Sequence, residues 1–145
     1  MSKNIILIAL LLTASTAGAD SLLLGCCSWH SEARPDGGEW NESNPGIGYQ
    51  KGFYEYVGIL YVEDSDDHDS INLTYGRRYE FHGVYPGFLV GLFDREDGIA
   101  YGILPTLSIG GPDGGVDLVY IPKIEINGAQ VYESIFVTVR VGLGK

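Results

Sequence analysis

The sequence predicts an all-β fold, an eight-stranded antiparallel up-and-down transmembrane β-barrel, and three observations lead there. Strand signals recur at close intervals between turn signals throughout residues 20–145. No stretch beyond residue 19 keeps the apolar period of an amphipathic helix. Longer acidic connections alternate with short tight ones, the asymmetry of barrels that sit in an outer membrane.

The elements follow in order. Residues 1–19 read as a signal peptide, with Lys3 as the positive start, an unbroken apolar run over 5–12 and the small-x-small pattern Ala17-Gly18-Ala19, so cleavage is expected after Ala19. That run falls short of the roughly 20 apolar residues a membrane-crossing helix needs, so any membrane span must be built of strands. Leu23-Leu24-Gly25-Cys26 has the look of a lipobox, but Thr13, Ser15, Thr16 and Asp20 separate it from the apolar core of the leader, which makes lipidation the weaker alternative.

Strands are expected at 21–30, 45–51, 53–63, 70–80, 84–93, 99–109, 116–124 and 131–143. An even count lets antiparallel strands close without an open edge. In the third, Val57, Ile59 and Tyr61 alternate with Gly58, Leu60 and Val62; in the fifth, Phe88, Val90 and Leu92 alternate with Leu89, Gly91 and Phe93. The last sets Ile135, Val137, Val139 and Val141 against Ser134, Phe136, Thr138 and Arg140. The apolar rows belong against lipid, and the other face encloses either packed side chains or a narrow apolar cavity. Connections 31–44, 64–69, 94–98 and 125–130 share one end and most of the acids, and they are expected to face the cell exterior; Lys51-Gly52, Phe81-His82-Gly83 and residues 110–115 make the tight turns of the other end.

A chain of 145 residues, with one domain expected over 20–145 and a formal net charge of −10, is a poor partner for nucleic acid. Cys26 and Cys27 are adjacent, so in a regular strand they point to opposite faces; no ordinary disulfide and no metal-ligand spacing is expected of them. The acidic run Glu63, Asp64, Asp66, Asp67, Asp69 lacks the glycine and glutamate of an EF-hand loop and reads as an exposed cluster. His68 and His82 read as solvated, and Arg77 and Arg78 as snorkelling residues at the periplasmic rim.

Strand parity brings His30 and the pair Asp64-Ser65 to one rim. A histidine that can take a proton, a hydroxyl and a carboxylate are the types that acyl transfer uses.

Trp29-His30, Trp40-Asn41-Glu42 and Asn44-Pro45-Gly46-Ile47-Gly48-Tyr49 resemble motifs of the lipid A palmitoyltransferase family. The second half is similar to that family too, in Leu104-Pro105, Tyr120-Ile121-Pro122 and Asn127-Gly128 leading to Val131-Tyr132. The resemblance covers nearly the whole mature chain. It implies an outer-membrane enzyme, reached through the inner membrane, that moves a palmitoyl chain from a phospholipid to lipid A of lipopolysaccharide, as a monomer and without cofactor or metal. By the same resemblance the catalytic residues are His30, Asp64 and Ser65, with Asp69-Ser70 as the alternative pair, and Pro105 and Pro122 mark lateral openings for lipid. The alternatives are a non-catalytic outer-membrane barrel that binds lipid or a surface partner, and a soluble barrel of lipocalin type.

Overall fold

The computed structural model describes residues 20–95, 98–126 and 129–144; the leader expected over 1–19 lies outside them, as do Asn127 and Gly128. Among the described residues the elements are β1 (Ser21–His30), β2 (Ser43–Lys51), β3 (Glu55–Glu63), β4 (Asp69–Arg78), β5 (Val84–Arg95), β6 (Gly98–Gly111), β7 (Gly114–Ile121), β8 (Ile124–Ile126), β9 (Ala129–Val131) and β10 (Ser134–Gly142). Eight of them close into one barrel in the order β1-β10-β7-β6-β5-β4-β3-β2, every pair antiparallel. The all-β, eight-stranded barrel expected from the sequence is therefore present, and β1 begins and ends where it was expected.

One element was not foreseen. Residues 125–130, expected as a plain loop, contribute to a separate two-stranded sheet in which Ile124 pairs with Val131. Pro122 has no N–H for the ladder, so β7 stops at Ile121 and the chain leaves the barrel wall before pairing with itself.

The pleat sorts side chains into two populations. On β6 the contrast is sharp: Ile103 is 70% exposed, while Leu104 is 6% and Ser108 0% exposed. Ile47, Tyr61, Ile71, Val90, Ile103 and Val141 belong to the outward population, which wraps the barrel in exposed apolar surface. The inward population is mixed, with small apolar clusters around Leu23, Leu60 and Val62 and around Tyr56, Leu89 and Leu104. Gly76 faces the Tyr56 ring so closely that an added Cβ would lie 2.2 Å from it, which is how a tyrosine fits across so narrow a tube.

The end of the barrel away from His30 is sealed by charge. Asp117 on β7 accepts from Arg78 on β4 at 2.9 Å and from Arg140 on β10 at 3.2 Å through the same Oδ2. Arg78 also donates to Ser108 at 2.6 Å, to the Phe53 carbonyl at 2.8 Å and to Gln50 at 3.0 Å. Its guanidinium lies 3.9 Å from the centre of the Tyr56 ring, and Phe53, 1% exposed, takes both arginines against its ring. Arg77 does project outward over Tyr79, but the snorkelling expected of Arg78 is not what it does. The pleat turns it into the lumen, where four of its five donors find a carboxylate, a carbonyl and two polar side chains.

Removing one partner from such a buried network leaves the others charged and unpaired. Asp117→Ala is expected to cost about 3–5 kcal/mol of barrel stability, read as an earlier midpoint in urea unfolding; an unchanged midpoint would show that the two arginines find other partners.

Candidate functional site

Strand direction brings the ends of β1, β3, β5 and β7 and the starts of β2, β4, β6 and β10 to one rim. The lumen opens there. A cavity of about 240 Å³ runs inward from it, with His30, Trp40, Ser65 and Asp66 among its lining at the mouth. Below them the walls are mainly apolar, with Leu60, Leu89, Phe93, Leu104, Val119 and Phe136, interspersed with Asn72, Thr74, Thr106 and Thr138. Deeper still lie Gln50, Arg78 and Asp117 of the sealed end. The cavity is thus polar at the mouth, oily along the shaft and closed by an ion network at the bottom.

His30 reaches this mouth because of an irregularity in β1. Ser21, Leu23 and Gly25 face inward; after an unbroken alternation Trp29 would do so as well and His30 would face out. The register instead passes from Gly25↔Thr138 to Cys27↔Val137, which leaves Cys26 as an extra residue. The phase therefore flips, Ser28 and His30 line the cavity, and Trp29 is 57% exposed on the outside. Gly25 sits where the β2 backbone comes closest: a Cβ there would stand 2.6 Å from the Asn44 carbonyl oxygen.

The connection between β1 and β2 folds over the mouth. Trp40 stacks on the His30 ring at 4.4 Å with 13° between planes, donates through Nε1 to the Glu32 carbonyl at 2.8 Å, and carries Arg34 on its ring at 5.3 Å. Asn41 ties this loop to the β3–β4 turn, donating to Glu63 and to Asp67 at 2.8 Å each, while its backbone N–H donates to the Ser65 carbonyl at 3.2 Å. Across the mouth, Lys123 pairs with Glu32 at 2.7 Å, an interaction that raises the ammonium pKa. Glu133 accepts from Ser31 at 2.6 Å and from Tyr120 at 2.5 Å; these two hydroxyls hold its carboxyl below the usual range, with Lys123 adding attraction.

The three residues expected to act together share the mouth but are not joined to one another as a relay. The His30 side chain is buried, and among the described residues its Nδ1 has no hydrogen-bond partner and its nearest carboxylate is that of Glu42, at 3.9 Å. Asp64 is occupied by its own turn: Oδ1 accepts from the N–H groups of Asp66 at 2.9 Å and His68 at 3.0 Å. The Ser65 hydroxyl lies 3.0 Å from that of Ser28. Of the alternative pair, Ser70 is buried and donates to the Asp94 carbonyl at 2.5 Å, with Asn72 Oδ1 at 3.0 Å from the same hydroxyl, and Asp69 lies opposite Glu63 in the β3–β4 ladder. Both serines line the cavity.

Sequence reasoning had Trp40 and Glu42 only as parts of a motif and missed Ser28 altogether. Their roles depend on a loop folding back over the rim and on the phase flip in β1, neither of which leaves a periodic signal. For the ion network a signal did exist, since Arg140 stands in the same row as Ser134, Phe136 and Thr138, opposite the apolar one.

Because Asp64 is the acceptor for two backbone amides, Asp64→Ala is expected to speed hydrogen exchange at the Asp66 and His68 amides about tenfold, the equivalent of roughly 1.4 kcal/mol for lost bonds to a charged acceptor. Protection of the β3 and β4 strand amides should be unchanged, and equal loosening of both strands would mean that Asp64 supports the wall itself.

Compared with known proteins, the chain matches no family model, and no curated protein matches it significantly.

Proposed function

We propose that this chain is an outer-membrane barrel that takes a phospholipid acyl chain tail-first into its lumen and transfers it to lipid A at the His30 rim. The observation that carries this reading is the shape and polarity of the cavity: an oily shaft, blind at one end, with a histidine and two hydroxyls at its open mouth. At about 240 Å³ it lies just under the roughly 300–1,000 Å³ of ordinary small-molecule sites, which suits one extended chain better than a bulky ring system.

A membrane setting accounts for the outer surface. Strands of 8 to 14 residues bracket the roughly 9–11 that a tilted strand needs to cross, and apolar side chains such as Ile47, Ile71 and Ile103 would be costly in water over so continuous a band. In this reading His30 is the general base, with Glu42 the carboxylate nearest its Nδ1, and Ser65, beside Ser28, stands at the reacting ester. Asp64 contributes by holding the turn that presents Ser65.

A second reading, a barrel that binds lipid without reacting, is favoured by one observation: Ser65 is engaged with Ser28 and not with the imidazole. The two readings separate in a strain lacking its own palmitoyltransferase. Expression should add one acyl chain to the mass of lipid A, and His30→Ala should abolish that addition while leaving the barrel folded; an inserted barrel that leaves lipid A unchanged selects the binding reading.

Chain entry has its own test. Gly102 lines the shaft, and a Cβ built there meets nothing within 4 Å, so Gly102→Leu projects into the lumen without striking the wall. Binding of a spin-labelled fatty acid should fall at least tenfold with the urea midpoint retained; undiminished binding would place the chain outside the lumen.

A further inference from the structure

Cys26 and Cys27 do not point apart as adjacent strand residues should. The bulge that flips β1 turns both away from the lumen, and their sulfurs lie 2.9 Å from one another. Cys26 is exposed and Cys27 half-buried, and both are free thiols. The wall is slack here on either side. Towards β10, Cys26 is the extra residue and has no opposite number in the ladder. Towards β2, the register jumps from Gly25↔Gly46 to Cys27↔Ser43, skipping Asn44 and Pro45, and proline offers no N–H to be lost.

We propose that Cys26 and Cys27 form a reversible dithiol–disulfide site, closing to a small ring with a disulfide oxidant as co-reactant. The thiolate of one cysteine attacks the oxidant's S–S bond, forming a mixed disulfide and expelling one thiolate. The second cysteine, deprotonated, attacks the protein sulfur of that mixed disulfide and expels the other thiolate. Two thiols of the chain become one disulfide, the two protons go to solvent or to the departing thiolates, and the oxidant is reduced to two thiols. Geometry makes the ring labile. Consecutive Cα atoms are about 3.8 Å apart across a trans peptide, below the roughly 4.4–6.8 Å of ordinary disulfides, and strain of this kind makes the bond easier to reduce. Such bonds serve as switches more often than as staples. Ser28, the next residue, carries the hydroxyl that meets Ser65, so the state of the pair bears directly on the mouth.

The test uses the full chain, folded in detergent micelles and fully reduced, with dithiodipyridine as a small apolar oxidant. The expected result is two thiopyridones released per chain with no pyridyl group retained, a mass lower by two hydrogens, and complete reversal by dithiothreitol. In Cys26→Ser and in Cys27→Ser one pyridyl group should stay attached, showing that the reagent reaches each thiol. A wild-type chain that keeps a pyridyl group on both cysteines, fails to react, or cross-links into dimers would overturn the proposal, as would a ring that forms only in urea.

Discussion

The ladder between β1 and β10 is the constraint on which the rest of the structure depends. It joins the first strand of the barrel to the last, Ser21 opposite Gly142 and His30 opposite Ser134, and so removes both edges at once. Once the sheet is shut, each side chain on a strand has only two destinations, and the pleat decides between them. The oily exterior, the mixed lumen and the shared rim all follow from that choice repeated around eight strands. An insertion of one residue anywhere in a wall strand would exchange the two populations beyond it.

β1 contains one such insertion, and the mouth depends on it. With Cys26 counted into the regular alternation, the lumen would receive Trp29 and lose His30. With Cys26 bulged out, the imidazole turns inward beneath Trp40 and the larger indole of Trp29 joins the outer girdle. The bulge also brings two thiols together that a regular strand would have kept on opposite faces. A single backbone irregularity therefore sets both the position of the candidate base and the chemistry available beside it.

How far the sequence discloses this structure depends on the range of the interaction concerned. The β1 boundaries and the period-2 rows of β3, β5 and β10 are local, and they stand where alternation puts them. The placing of His30 and the 64–65 turn on one rim is also legible, because strand parity alone sends those ends there. What alternation cannot supply is phase. The bulge at Cys26, the inward turn of Arg78 and the departure of β8 and β9 from the wall each depend on partners distant in sequence. Asp64 is a different case: its residue type suited a role beside a histidine, but two amides of its own turn claim the same oxygen. A short acidic side chain satisfies the backbone nearest to it before it reaches across a rim.

The ion network at the closed end bears on the lumen as a whole. Three buried charges are expensive to desolvate, and apolar residues of similar size would often hold a core together equally well. What the network adds is a set of directed bonds: Arg78 joins β4 to β6, β7 and the residues around the β2–β3 turn, and Arg140 joins β10 to β7. Five parts of the wall, the neighbouring β10, β7 and β6 together with β4 and the β2–β3 turn on the other side, are thereby tied through one carboxylate and two guanidinium groups. Above this brace apolar side chains meet from facing strands, Phe136 against Leu23, Leu60 and Val62, and Phe93, Val119 and Ile121 against Tyr56, Leu89 and Leu104. The cavity that these side chains leave is narrow, and its foot is closed by Asp117 held between two arginines.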